Sequence, residues 1–485
     1  MDQIQINAVP RVRTLRVALL LLGAAGLALL VPLSDHGWLF LNVILMAACL
    51  VAPMAYSWQK NRFDAFEIVH ILGLRYFLFF GVGALWTVAD PYEVAYDIYL
   101  LPFIPLAAFY CLLGFLCWLA GYYGPWFRPK EARLIEDVPT GATVLLLPGI
   151  LGIVGNLAEA LLDRAFWMGS SFSSLASSLA QLAPLYYFSW ALAWLLVFSG
   201  RATRTQKWTL YLGFIPMTLM ILGNSLTDKS QALTLFAVPI MALWYARRTL
   251  PWRSLVGFAL LAVFVIFPFF NTYRNLDPYL PRTQRVSTTA AALVSMDAEE
   301  FADVSLGTFK RRVALINSVA VVVRDVPRWV PYERGDTLFL PAMSFFIPRF
   351  LWPEKPLFMM GRDFGVKFRV VNVLDDKTRI APTVPGELYW NFDLPGILLG
   401  MALWGFVVRL VYRRYAGSAG LDPVRRAIYM LLLIQFVHFG GGLAAQSVTV
   451  IRTLMILEVF CWVCRRLGLI QSAQISAQGV LTGPK

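Results

Sequence analysis

The chain has 485 residues, of which 58% are hydrophobic and 15% charged, and its formal net charge is +13. A soluble domain carries about 25% charged residues, so an ordinary soluble globular fold is excluded and span counting replaces domain counting. The positive balance does not indicate nucleic acid: the basic residues lie in short clusters between apolar runs, with no basic face interleaved with aromatics.

A membrane-crossing helix needs about 20 mostly apolar residues. In chain order, Arg11, Arg13 and Arg16 precede an apolar run that reads as a retained signal anchor. Spans are predicted at 15–33, 38–57, 67–88, 99–121, 141–161, 176–200, 208–225, 231–246, 254–272, 391–411, 427–446 and 449–467. The five cysteines, Cys49, Cys111, Cys117, Cys461 and Cys464, all fall inside apolar runs, which excludes a disulfide framework. Cys461 and Cys464 form a C-x-x-C but read as two buried cysteines, since no partner ligands accompany them.

Alternate loops carry the basic clusters: Lys60 and Arg62; Arg128, Lys130 and Arg133; Arg201, Arg204 and Lys207; Arg247, Arg248 and Arg253; Arg413, Arg414, Arg425 and Arg426. Short loops of the other parity carry only Arg164, Lys229 and Arg452. This asymmetry puts both termini in the cytoplasm and the loop 273–390 outside. That loop holds sixteen basic and thirteen acidic residues, which does not disturb the assignment, because long loops translocate largely regardless of charge. The expected architecture is an all-α polytopic bundle of about twelve transmembrane helices: spans over 1–272, the loop 273–390, spans over 391–467 and a cytoplasmic tail 468–485.

Within the loop, 313–323 (VALINSVAVVV) is too short to span and is predicted to form a helix on the membrane or on the bundle. The proline-interrupted stretch 338–352 (LFLPAMSFFIPRFLW) is predicted to dip back toward the membrane, where irregular backbone requires a protein-lined cavity. No internal repeat is visible, which argues against a transporter.

Charges inside spans cost about 2.5–3.5 kcal/mol on insertion scales and so suggest sites. Arg75, Glu159 and Glu458 are of this kind. His438, just before Gly440, Gly441 and Gly442, reads either as a general base or as a hydrogen-bonded interhelical histidine. Around the loop, Lys229 (NSLTDKSQAL), Arg274 (NTYRN), Arg349 and Lys355 (IPRFLWPEKP), Arg362, Lys367 and Arg369 (GRDFGVKFR), Arg379 and Arg452 converge on the outer face. Singly, each reads as a solvated charge paired with a nearby acid. As a set they suit a lipid-linked diphosphate, which the arginine fork binds in a bidentate manner. Glu387, in GELYWNF at the outer end of the tenth span, is placed for acid–base work by partial desolvation beside aromatics. Trp352, Tyr389 and Trp390 read as sugar-stacking rings or as an interfacial belt. There is no P-loop, H-E-x-x-H or G-x-S-x-G. The cytoplasmic loops are short, so any enzyme here takes a membrane-borne substrate from the outer side.

The many spans, the large loop before the last few, and the stretch FFIPRFLWPEKP … IAPTVPGELYWNFDLPGILLGMALWGFVVRLVYRR resemble bacterial O-antigen and exopolysaccharide polymerases of the Wzy type. The similarity is strongest over 330–415. In NSLTDKSQAL such proteins often carry a serine–arginine pair, and Lys229 stands in the arginine's place, keeping the charge without the fork. The resemblance implies a GT-C-like, metal-independent glycosyltransferase of the inner membrane. Such an enzyme moves a growing glycan from undecaprenyl diphosphate onto a new lipid-linked repeat unit at the periplasmic face, alongside a flippase and a chain-length regulator. On that reading Arg349, Arg274 and Lys229 hold the diphosphate, and Glu387, or failing it His438, is the base. An O-antigen ligase, a flippase for the lipid-linked unit and a structural secretion subunit are the competing readings. A lipid-phosphate-sugar glycosyltransferase fits less well, since the first outer loop offers only Asp35 in place of paired acids.

Overall fold

The computed structural model describes residues 35–124, 135–139, 141–165, 175–176, 178–218, 229–276, 280–346, 360–375, 378–417, 422–437 and 441–474. The predicted span 15–33 lies outside them, as do Arg349, Lys355 and His438.

Among the described residues the chain is almost entirely helical. The apolar runs form α1 (Asp35–Gln59), α2 (Ile68–Ala89), α3 (Ile98–Tyr123), α4 (Thr143–Ala165) and α5 (Ser178–Phe198). They continue as α6 (204–218), α7 (Lys229–Arg247) and α8 (252–275). The long loop follows with α9 (Arg282–Ser295), α10 (Ala298–Val313), α11 (Ile316–Asp325), α12 (Asp336–Phe346) and α13 (Met360–Lys367). The chain closes with α14 (Val384–Tyr415), α15 (Pro423–Val437) and α16 (Leu443–Arg466). Two short strands, β1 (Ile135–Pro139) and β2 (Ile470–Gln474), pair antiparallel.

Six of these helices, α1, α2, α3, α5, α14 and α16, are long and apolar enough to cross a bilayer. The expectation of about twelve spans is thus met in part. Thr143–Ala158, Thr234–Arg247 and Val263–Tyr273 are shorter apolar stretches, and α15 has only 15 residues. Two boundaries move. The tenth span starts at Val384 instead of 391, because Thr383 caps the helix and Pro385 fits its first turn. The last span starts at Leu443 instead of 449, so Arg452 sits inside α16 and not in an outer turn.

The core is organised on the pairing of α3 with α14. Cys111, Leu112, Phe115 and Trp118 pack with Ile397, Met401, Trp404 and Val408, all buried. The backbones touch: a Cβ on Gly121 would lie 1.9 Å from the Ala402 carbonyl oxygen, and one on Gly405 would lie 2.1 Å from that of Trp118. Where lipid removes the hydrophobic drive between helices, such small-residue contacts hold them together.

Each end of this pair carries a polar cluster. At the Tyr123 end, the α1–α2 connection inserts Asp64 and Glu67. The Asp64 Oδ1 accepts from the Phe66 N–H (3.1 Å) and Trp244 Nε1 (2.8 Å), and Oδ2 from the hydroxyls of Tyr412 (3.2 Å) and Tyr245 (3.4 Å). The Glu67 Oε1 accepts from the Tyr122 hydroxyl (2.7 Å) and Arg409 Nη1 (3.1 Å). Tyr429 donates to the Phe66 carbonyl (2.6 Å), and Arg426 stacks 4.7 Å from the Tyr245 ring. Nearby, Arg465 pairs with the buried Asp137 of β1 (2.7 Å), whose N–H donates to Asp422 (3.2 Å).

At the other end, the long loop docks on the α2–α3 connection. Lys310 pairs with Asp90 (3.0 Å) and Arg324 with Asp97 (3.2 Å) and Asp325 (2.6 Å). Asn317 donates to the Val94 carbonyl (3.0 Å), and the hydroxyls of Tyr96 and Ser318 meet at 3.2 Å. The 313–323 run does form a helix against the bundle, but α11 is embedded rather than superficial: Ile316 to Val323 are all buried, packed on α3 and α14. Helix α12 leans on α16 and exposes Phe339, Leu340 and Met343, and the rest of the 338–352 stretch, from 347, lies outside the described residues.

Candidate functional site

The first turns of α14 carry the site. Thr383, at φ 67°, accepts the Gly386 N–H with its hydroxyl (3.4 Å) and sets the helix start. Four residues on, Glu387 is completely buried (0% exposed). Its Oε2 accepts the N–H of Leu443 and of Ala444 (3.2 Å), the first two amides of α16. A helix N-terminus offers unpaired N–H groups and a positive dipole end, so a carboxylate from another helix is a natural partner. The approach depends on Gly442. Its φ is +82°, and a Cβ there would lie 2.7 Å from Oε2.

The other carboxyl oxygen, Oε1, makes no hydrogen bond among the described residues. The Thr337 hydroxyl approaches the same carboxyl and is held by Asn391, whose Nδ2 donates to it (2.6 Å) and to the Glu387 carbonyl (2.7 Å). The Asn391 Oδ1 accepts the Gly335 N–H (2.8 Å). The loop segment 333–337 is thereby fastened over Glu387, and the Glu333 N–H donating to the Trp390 carbonyl (3.1 Å) completes the clasp.

The aromatics are largely internal. Trp390 is 3% exposed, met edge-on by Phe364 (5.9 Å) and Phe368 (5.1 Å), with the Lys367 ammonium 5.0 Å from its ring. That placement fits neither a sugar platform nor an interfacial belt. Lys367 also forms an ion pair with Glu333. Tyr389 stacks on Tyr110 (5.6 Å, 25°). Trp352 lies outside the described residues.

The predicted cations are only partly brought together. Arg362 on α13 donates to the Val373 carbonyl (3.3 Å). Arg379 is exposed beside Gly361, and the Ile380 N–H donates to the Gly361 carbonyl (2.9 Å), so both arginines belong to one small fold covering the start of α14. Lys229 begins α7 and Arg274 lies in the last turn of α8. Asn391, Thr337 and Asp393 escaped the sequence reading, although the run Glu387–Asp393 holds three polar side chains at the start of an apolar span. Among the described residues no three His, Cys, Asp or Glu side chains gather as a metal site. Chemically, the arrangement is a carboxylate anchored through one oxygen and able to accept a hydrogen bond or a proton through the other. No family model matches the chain, and neither a curated protein nor a solved structure is significantly similar to it.

Proposed function

We propose that the chain is a metal-independent glycosyltransferase that polymerises undecaprenyl-diphosphate-linked oligosaccharide repeat units at the periplasmic face of a bacterial inner membrane. The observation that carries this reading is Glu387: fully buried, fixed by two amides on Oε2, and open on Oε1. Two features support it: the resemblance of 330–415 to Wzy-type polymerases, and the cover of loop helices over the start of α14. On this reading the shorter apolar helices also cross the membrane, giving about twelve spans in a GT-C-like arrangement with both termini cytoplasmic.

In the reaction, an acceptor hydroxyl gives its proton to Glu387 Oε1 as its oxygen bonds to the anomeric carbon of the donor glycan. The bond from that carbon to the diphosphate breaks, and the lipid diphosphate leaves with the electron pair. Arg274, Lys229 and Arg349 hold its charge, with Lys355, Arg362, Arg379 and Arg452 as the wider cationic set and His438 as the alternative base. Undecaprenyl-linked glycan and membrane lipid are the partners, together with a flippase and a chain-length regulator.

Purified protein in liposomes with lipid-linked repeat units tests this. Wild type lengthens the chains, and Glu387→Gln at equal protein level does not. Translocation without elongation would identify a flippase. Transfer to a lipid A core without lengthening would identify a ligase. Full elongation by Glu387→Gln would remove the assigned base.

A further inference from the structure

Helix α14 is interrupted two residues after Asn391. Phe392 has φ −139°, ψ 21° and Asp393 has φ 58°, ψ −156°, after which the helix resumes at Leu394. A positive φ with ψ near −156° is territory that essentially only glycine occupies without strain, and other residues stay there only when their surroundings hold them. Such strain concentrates where a side chain must be aimed. Asp393 has a local task, since its Oδ1 accepts the Leu394 N–H (2.7 Å). An asparagine or serine in ordinary extended backbone would cap as well, so capping does not account for the conformation.

The conformation delivers the carboxylate to a group of phenols. Tyr332, from the loop, and Tyr389, one turn back on α14, both engage it. Tyr110 of α3 faces it and stacks on Tyr389. Outside the spans, Tyr332 has its pKa raised, first by burial and then by this carboxylate. The group borders open surface: Asp393, Tyr110 and Tyr332 are half-buried, and Phe392 beside them is 41% exposed.

We propose that Asp393, Tyr110, Tyr332 and Tyr389 form a saccharide subsite that binds neighbouring hydroxyls of the glycan, separate from the Glu387 carboxyl. A carboxylate accepts from two adjacent hydroxyls at once. Phenol hydroxyls both donate and accept, and an exposed ring face takes the apolar face of a sugar ring. No proton transfer is required. The inference rests on the glycan-polymerase reading above, and it assigns Asp393 to positioning the substrate.

The test exploits the strain. Asp393→Gly suits the backbone and removes the carboxylate, whereas Asp393→Asn keeps a capping oxygen and removes the charge. Each is assayed in liposomes over a range of lipid-linked repeat unit, with thermal unfolding alongside. The subsite predicts that Asp393→Gly melts no lower than wild type. It also predicts that KM rises about tenfold or more in both variants, with a smaller rise for Tyr332→Phe. A wild-type KM in Asp393→Asn, or in a stable Asp393→Gly, overturns the proposal. If wild type itself does not elongate, the polymerase reading fails, and the subsite is then judged by calorimetric binding of the repeat-unit oligosaccharide released from its lipid by mild acid. Binding by wild type that is lost in Asp393→Asn upholds the subsite, and equal binding or none overturns it.

Discussion

The two ends of the α3–α14 pair hold polar clusters of opposite character. Asp64 is 4% exposed, yet each of its oxygens accepts from two donors, and those donors come from three separate parts of the chain. Glu387 is fully buried, but both of its backbone donors reach Oε2 and only the Thr337 hydroxyl otherwise approaches the carboxyl. A buried carboxylate saturated with donors fastens helices together, since a satisfied network in low dielectric is strong and specific. A buried acceptor left open costs stability, about 1–3 kcal/mol, and is retained where it has work to do. Asp393 repeats the pattern in the backbone, because strain is kept at the open end of α14 and its closed end is regular helix.

Four changes would break or sharpen this contrast. The largest effect is expected at Glu387. Glu387→Gln should slow elongation on the order of 10²–10⁴-fold while its melting temperature stays near that of wild type. A rate close to wild type would place the two clusters in the same structural class. Next, Asp64→Ala removes the shared acceptor of four donors and should destabilise the protein by about 1–3 kcal/mol, read by thermal unfolding in detergent followed by tryptophan fluorescence. A wild-type melting curve would show that this cluster fastens nothing.

A smaller effect is expected of Gly442→Ala, which meets both a positive φ and the Glu387 Oε2. It should cost about 1–2 kcal/mol. Part of this should return in the double variant with Glu387→Ala, because removing the carboxyl removes the clash. Strict additivity would separate the two residues. The smallest effect concerns Asp90. Its hydrogen bond from Lys310 holds the carboxyl below the usual carboxylate range. A carboxyl lowered on folding adds stability above its unfolded value, about 3.9, and loses it as pH falls through the folded value. Melting temperatures of wild type and Asp90→Asn should therefore differ slightly near neutral pH and converge in acid. A gap that widens on acidification would reverse the sign assigned to the pair.

Much of the helical frame was legible in the chain. The predicted 38–57, 67–88 and 99–121 match α1, α2 and α3 within a few residues, because an apolar run of bilayer length has one stable solution. The helix at 313–323 was legible too, but its burial was not. An apolar run outside a span looks the same whether it meets lipid or protein. Glu387 stood out by its place at a span end, whereas its partners Leu443 and Ala444 lie 56 and 57 residues away. Nothing local in the sequence singles out Asp64 and Glu67, since the tyrosines, tryptophan and arginine that enclose them come from α3, α7 and α14. For Asp393 the only local hint is Pro395 two residues later, which marks a restarted helix without revealing the sign of φ.

Composition and the order of apolar runs were enough to make this a helical membrane protein, because hydropathy and helix length act locally along the chain. Which charges are locked and which are left open was decided by packing alone. Hydrogen-bond saturation depends on neighbours in space: the same residue type, aspartate or glutamate, is a fastener where α7 and α14 supply donors and an open acceptor where α16 supplies only its first two amides.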